Sequence, residues 1–233
     1  MKRLFLVLML LPATVWAASS VRLDPSPHDP RDVASLQAGA ATYVNYCLGC
    51  HGLQYMRYKS LVDIGLNEAQ IKEYLLFTGE KVGDMIKAVQ DPKEAKSWFG
   101  VMPPDLSVVA RSRGADWLYT YLRTFYRDPK TPTGWNNAVF PNVGMPHALW
   151  TMQGERGLDP KTHRFTEISK GSMSAPQYDR TVRDLVNFLV YVGEPAAQSR
   201  KVIGIITLIV LVVLFFPLTY WLKKEFWKDI KQQ

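Results

Sequence analysis

The amino-acid sequence predicts a mainly α protein in which one exported globular part, residues 18–199, is held to a membrane by a single C-terminal helix. Three observations lead there. Apolar residues recur at helical spacing in several separate stretches, strand-like alternation is sparse, and the run Val202–Leu222 contains no charged residue.

The elements follow in chain order. Residues 1–17 read as a cleaved secretory leader. Lys2 and Arg3 precede an apolar run from Leu4 to Leu11, too short to span a bilayer, and Val15 and Ala17 sit three and one before a small-residue cut after Ala17. The alternative, an uncleaved anchor, lacks a reason for that site. The Pro-rich stretch RLDPSPHDP predicts an extended arm. From Asp32, the spacing of Val33, Leu36, Ala40, Tyr43, Val44 and Cys47 predicts an amphipathic helix. Asn67 and Gln70 form a capping box before a second helix. Trp117, Leu118, Tyr121, Leu122 and Phe125 make one face of a third, ended by Asp128-Pro129. Thr131 to Pro146 has turn chemistry without periodicity. Met152 and His163 fall in a charged stretch expected to be exposed. Val182, Leu185, Val186, Leu189 and Val192 stripe the last exported helix, with Gly193 and Pro195 as stop signals.

Residues 200–222 are then the transmembrane anchor. An uncharged run of this length spans a ~30 Å hydrocarbon core at ~1.5 Å per residue, whereas a buried core helix would be shorter or less uniformly apolar. Pro217 predicts a kink, and Tyr220 and Trp221 suit the membrane interface. Residues 223–233 form a cytoplasmic basic tail under the positive-inside rule.

That tail explains the formal net charge of +7. Two of the 28 basic residues lie in the leader, and six, against two acids, follow Ser199, so residues 18–199 are nearly neutral. The basicity is membrane topology, and no nucleic-acid partner is expected. No Gly-rich phosphate loop or serine nucleophile elbow is present either.

The chemistry sits in NYCLGCHGLQ, which holds both cysteines of the chain. Cys47-x-x-Cys50-His51 is the c-type haem attachment pattern. Two thiols three residues apart can each form a thioether with one vinyl group along a haem edge, and the adjacent imidazole then reaches the iron. A zinc site lacks further Cys/His ligands at finger spacing, and a redox dithiol lacks its usual βαβ setting. The sixth ligand is open on the residues alone. Met145 lies between Gly144, which permits close backbone approach, and Pro146, which fixes the chain. His147 is its strongest competitor, and Met102 and Met173 remain alternatives.

With this motif placed, MPPDLSVVARSRG, PTGWN, NVGMPHALW and GSMSAPQYDRTVRDLVNFLVYVGEP follow in order before the anchor, and the mature chain resembles the cytochrome c1 family. The resemblance implies a class I cytochrome c-like haem domain with long loop insertions, carrying one covalent haem c. It makes Cys47 and Cys50 the thioether residues, His51 the proximal ligand and Met145 the distal one. It matches Pro103, Pro104, Asp105 and Leu106 to a loop beside the haem, and brings Arg113 and Tyr126 near a propionate. Its implied partners are a cytochrome b subunit, a Rieske iron–sulfur protein and a soluble c-type cytochrome as acceptor, within a dimeric complex of the bacterial cell membrane with the haem domain in the periplasm. Such a chain is a redox subunit and not catalytic alone. The sequence departs from mitochondrial relatives in having no long acidic run and no extra cysteine pair. The alternatives are another membrane-anchored monohaem carrier or a haem subunit of an oxidase.

Overall fold

A computed structural model describes residues 22–228; the leader expected over residues 1–17, and the end of the basic tail, lie outside the described residues. The frame is three helices: α1 (Val33–Tyr46), α5 (Ala115–Arg123) and α7 (Ala175–Gly193). Between α1 and α5 come the short helices α2 (Glu68–Tyr74), α3 (Pro92–Phe99) and α4 (Val109–Arg113), with a 3-10 segment Tyr58–Ile64 before α2. A single turn, α6 (Trp150–Gln153), precedes α7.

The crossing of α1 and α7 organises the domain. A Cβ placed on Gly39 would fall 2.0 Å from the Asp184 carbonyl oxygen and 2.7 Å from Phe188 Cβ, so only glycine lets the two backbones approach this closely. Beside that contact, Tyr43 packs on Phe188 with ring centroids 5.8 Å apart. Ser35 Oγ donates to Asp184 Oδ1 at 2.7 Å, and the buried Asn187 donates to the Asp29 carbonyl at 2.8 Å. The predicted α7 stripe is the core: Val182, Leu185, Val186, Leu189 and Val192 are all buried, each contributing roughly 1.5–3 kcal/mol of transfer free energy. Tyr178 ties α7 to α5, its hydroxyl donating to the Leu122 carbonyl at 2.8 Å.

Helix ends follow their signals. Asn67 and Gln70 make the reciprocal capping box, and Ser174 with Gln177 makes a second at the start of α7. Three expectations fail. Val33 is exposed: it is the first residue of α1, and burial begins only at Ser35 and Leu36. α5 stops at Arg123, short of Asp128-Pro129: Asn137 Nδ2 takes the Tyr121 carbonyl at 2.8 Å, and Phe125 enters a strand instead. Met152 is buried beneath α7, not exposed.

Among the described residues there are three two-stranded antiparallel sheets. They are β1 (Leu53–Arg57) with β2 (Met85–Ile86), β3 (Phe125–Arg127) with β4 (Trp135–Asn137), and β5 (Gly154–Leu158) with β6 (Phe165–Lys170). The last turns at His163, which has φ 53°. Beyond α7 one continuous exposed helix, Ala197–Phe226, extends past the uncharged run at both ends. It comprises α8 (Ala197–Val210), a π-helical turn Leu211–Phe215 and α9 (Phe216–Phe226). The π turn lies just ahead of Pro217, whose missing N–H and bulky ring disturb the hydrogen-bond ladder there.

Candidate haem-binding site

Cys47 is the C-cap of α1, its N–H bonded to the Tyr43 carbonyl at 2.8 Å. The chain then folds back. The N–H groups of Cys50 and His51 both point to the Cys47 carbonyl, at 3.0 and 2.8 Å, so the two thiols and the imidazole project from one tight turn. Backbone bonds from Val89 to Leu48 (3.2 Å) and from Gln90 to Gly49 (3.0 Å) hold the turn against the following loop. Both thiols are free, Cys47 half-buried and Cys50 exposed. Burial pushes the Cys47 thiol up to about 12 and also raises Cys50. A dithiol exchange site needs a depressed thiol pKa, the opposite shift. Nor do the described residues contain a cluster of three or more metal-binding His, Cys, Asp or Glu side chains.

His51 is 9% exposed, and its Nδ1 lies 2.7 Å from the Pro104 carbonyl oxygen. That oxygen can only accept, so Nδ1 carries the proton and Nε2 keeps its lone pair. Burial holds the imidazole pKa below its ordinary value, against the raising pull of the Pro104 carbonyl and of Asp105. The result is a neutral ring of fixed tautomer and orientation, which is what a metal-ligating histidine requires. Pro104 thus acts through its carbonyl, while its ring is exposed.

The loop carrying Pro104 is laced to the strand after His51. Asp105 Oδ2 accepts from the Gln54 N–H at 2.8 Å and Oδ1 from the Ser107 N–H at 2.9 Å; Ser107 Oγ accepts from the Tyr55 N–H at 3.1 Å; and the Leu106 N–H donates to the Gly52 carbonyl at 2.9 Å. Gly52 is the meeting point, where an added Cβ would lie 3.1 Å from Ala88 N and 3.2 Å from Asp105 Oδ2.

The two contenders for the opposite ligand are in different situations. His147 is 2% exposed, stacked on Phe125 with centroids 4.8 Å apart, edge-on to Trp135, and hydrogen-bonded through Nε2 to Gln153 Oε1 at 2.8 Å. Burial depresses its pKa to about 4. Met145 is half-buried, and its Sδ lies 3.4 Å from the Tyr121 hydroxyl. Gly144 packs so closely on Val101 that a Cβ would come within 2.9 Å of Val101 Cγ2, which ties the Met145 loop to the segment leading into Pro103. Met102 is exposed, and Met173 receives a hydrogen bond from Thr181 at 3.5 Å.

The guanidinium of Arg113 lies over Trp117 (5.1 Å to the ring centroid) and Phe140 (5.9 Å), and Trp117 stacks on Tyr121 at 4.7 Å. Tyr126 sits half-buried in β3, opposite Asn136. The aromatics beside Arg113 are therefore Trp117 and Phe140. Sequence reasoning treated Trp117 and Tyr121 as a core stripe; the signal that marks them is a polar atom on an otherwise apolar helix face.

Neither zinc nor dithiol chemistry suits this turn, whereas two protonated thiols and a neutral imidazole suit covalent haem; the class is a membrane-anchored cytochrome of c type. Residues 26–230 match the Cytochrome C1 family. The chain is 44% identical over 244 residues to cytochrome c1 of Allochromatium vinosum, covering 99% of this chain and 100% of that one. It is 51% identical over 229 residues to the ammonia monooxygenase gamma subunit of Nitrosomonas europaea, covering 97% of each. To the mitochondrial cytochrome c1 heme protein of Saccharomyces cerevisiae it is 25% identical over 248 residues, covering 94% of this chain and 73% of the yeast one. The chain belongs to the cytochrome c1 family, the electron-transfer subunits of cytochrome bc1 complexes, which carry one covalently bound haem c.

Proposed function

We propose that this chain holds its haem c through Cys47 and Cys50, with His51 and Met145 as axial ligands, and relays single electrons from a Rieske iron–sulfur protein to a soluble c-type cytochrome. Each thioether arises by adding an S–H across a vinyl double bond, with no net redox change. Haem c supplies reversible one-electron exchange at iron when bound. The chain's own residues do the positioning. The observation that carries the reading is the 2.7 Å link from His51 Nδ1 to the Pro104 carbonyl, which leaves Nε2 free as the proximal donor. Met145 is favoured over His147 because the His147 ring is locked between Phe125, Trp135 and Gln153. A thioether ligand and apolar burial both favour ferrous iron and raise the potential. Arg113 serves a propionate in this reading, with Trp117 beside it, and Tyr126 lines the same region.

The leader ends at Ala17, residues 18–199 face the periplasm, residues 200–222 cross the cell membrane and residues 223–233 stay in the cytoplasm. The lysines at 223, 224, 228 and 231 support that orientation. Within the complex the anchor packs on a cytochrome b subunit, and two copies of the assembly pair.

The likeness to a chain named as an ammonia monooxygenase subunit supports a second reading, a haem subunit serving an oxidase-type complex. Detergent extraction of a tagged chain separates the two. Co-purification of cytochrome b and the iron–sulfur protein, with quinol-dependent reduction of the haem, is the expected result. Monooxygenase subunits in their place would establish the second reading.

A further inference from the structure

We propose that Tyr121 is the positioning residue of the sixth ligand: its hydroxyl donates to Met145 Sδ, orients the thioether and raises the reduction potential. This rests on Met145 being that ligand. The contact is 3.4 Å, within reach for a sulfur acceptor, and among the described residues the Tyr121 hydroxyl has no other hydrogen-bond partner. The donor is rigid. Tyr121 is 9% exposed, stacked on Trp117 at an interplanar angle of 11°, and met edge-on by Phe125 at 5.0 Å. Its backbone is fixed as well, since Asn137 Nδ2 donates to its carbonyl at 2.8 Å. A phenol, with an ordinary pKa of about 10, keeps its proton across the physiological range, so the hydroxyl is a donor.

The chemistry follows from the sulfur. A thioether has two lone pairs; one accepts the phenol proton and the other stays available to a metal. A hydrogen bond to the first draws electron density from the sulfur and weakens its donation. Electron-poor ferric iron loses more by this than ferrous iron, so the bond favours the ferrous state. Tyr121 therefore orients Met145 as the Pro104 carbonyl orients His51, with one difference: His51 is held through the ring nitrogen that does not bind the metal, Met145 through the second lone pair of the ligating sulfur itself.

The test uses the full-length holoprotein with Tyr121→Phe, Met145→Leu and the double variant. Tyr121→Phe removes one oxygen and keeps the ring in its stack. At fixed ambient potential its ferric-to-ferrous ratio should rise on the order of 3- to 10-fold, a shift read by redox titration at ~59 mV per tenfold for one electron. Its haem content should be normal, its reduced form should not bind carbon monoxide, and its sulfur-to-iron charge-transfer band should move. Tyr121→Phe should add nothing in the Met145→Leu background, since the acceptor is gone. In the unsubstituted protein, exchange into deuterium oxide should shift the Met145 ε-methyl resonance, a readout that needs no variant to fold. An unchanged potential, band and methyl resonance, with Met145→Leu still lowering the potential and admitting carbon monoxide, would overturn the role of Tyr121 and leave Met145 as ligand. An unaltered potential in Met145→Leu would remove Met145, and this inference with it.

Discussion

Asp105 is the carboxylate whose charge acts on His51, and Asp105→Asn decides whether it is structural or takes part in chemistry. Its two oxygens accept from the N–H groups of Gln54 and Ser107, at 2.8 and 2.9 Å. Asparagine keeps one acceptor and turns an amide N–H₂ toward the other donor, so one bond is lost. A hydrogen bond to a charged group contributes ~1.5–3 kcal/mol, and partial exposure places this one at the low end. The expected loss is about 1.5 kcal/mol, which for a chain of this size lowers Tm by roughly 3–6 °C. Asp105→Ala, losing both bonds, should cost about twice as much. Thermal unfolding of the holoprotein measures this, with haem content, visible spectrum and electron transfer followed in parallel. Both should keep their haem and most of their electron transfer, because the Pro104 carbonyl still holds His51. Complete loss of turnover in Asp105→Asn at normal haem content and spectrum would refute the structural role.

Three further outcomes are expected. Gly39→Ala should destabilise by at least ~3 kcal/mol, or prevent accumulation, because its Cβ would lie 2.0 Å from the Asp184 carbonyl oxygen and must part α1 from α7; urea unfolding measures it. Burial holds His147 neutral with a folded pKa of about 4, so the unfolded chain binds the extra proton first; stability should fall by ~2–3 kcal/mol as pH drops from about 6.5 to 4 and then level off, and His147→Phe should remove that slope. Ending the chain after Ser199 should release a red, soluble domain into the periplasm; its retention in washed membranes lacking partner subunits would require a second membrane contact.

What the sequence disclosed was local or periodic. The thiol pair and His51, the capping box at Asn67, the α7 stripe and the uncharged run each lie within one segment, where spacing alone determines what faces what. What it concealed was long-range. His51 and Pro104 meet across 53 positions, and nothing in either segment names the carbonyl as the acceptor. The β5–β6 hairpin leaves no signal in the sequence because β6 is exposed on nearly every residue, which removes the alternation that marks a half-buried strand. Met152 departs from the charge of its surroundings for a related reason: its charged neighbours belong to that hairpin, while Met152 itself sits on a single turn under α7. The early end of α5 depends on Asn137, a side chain from another element, which a helix-stop rule cannot contain. The clustering of Trp117, Tyr121 and Met145 was hidden because an aromatic stripe at helical spacing has the same pattern whether or not one hydroxyl has a task.

The claim on which the whole account depends is covalent attachment at Cys47 and Cys50, and intact mass spectrometry of the purified chain, denatured and reduced, tests it most directly. The expected mass is that of a polypeptide beginning at Ala18 plus one haem, with neither cysteine open to alkylation. Cys47→Ala/Cys50→Ala should lose that added mass entirely. An unmodified wild-type polypeptide with two alkylatable thiols would contradict the account.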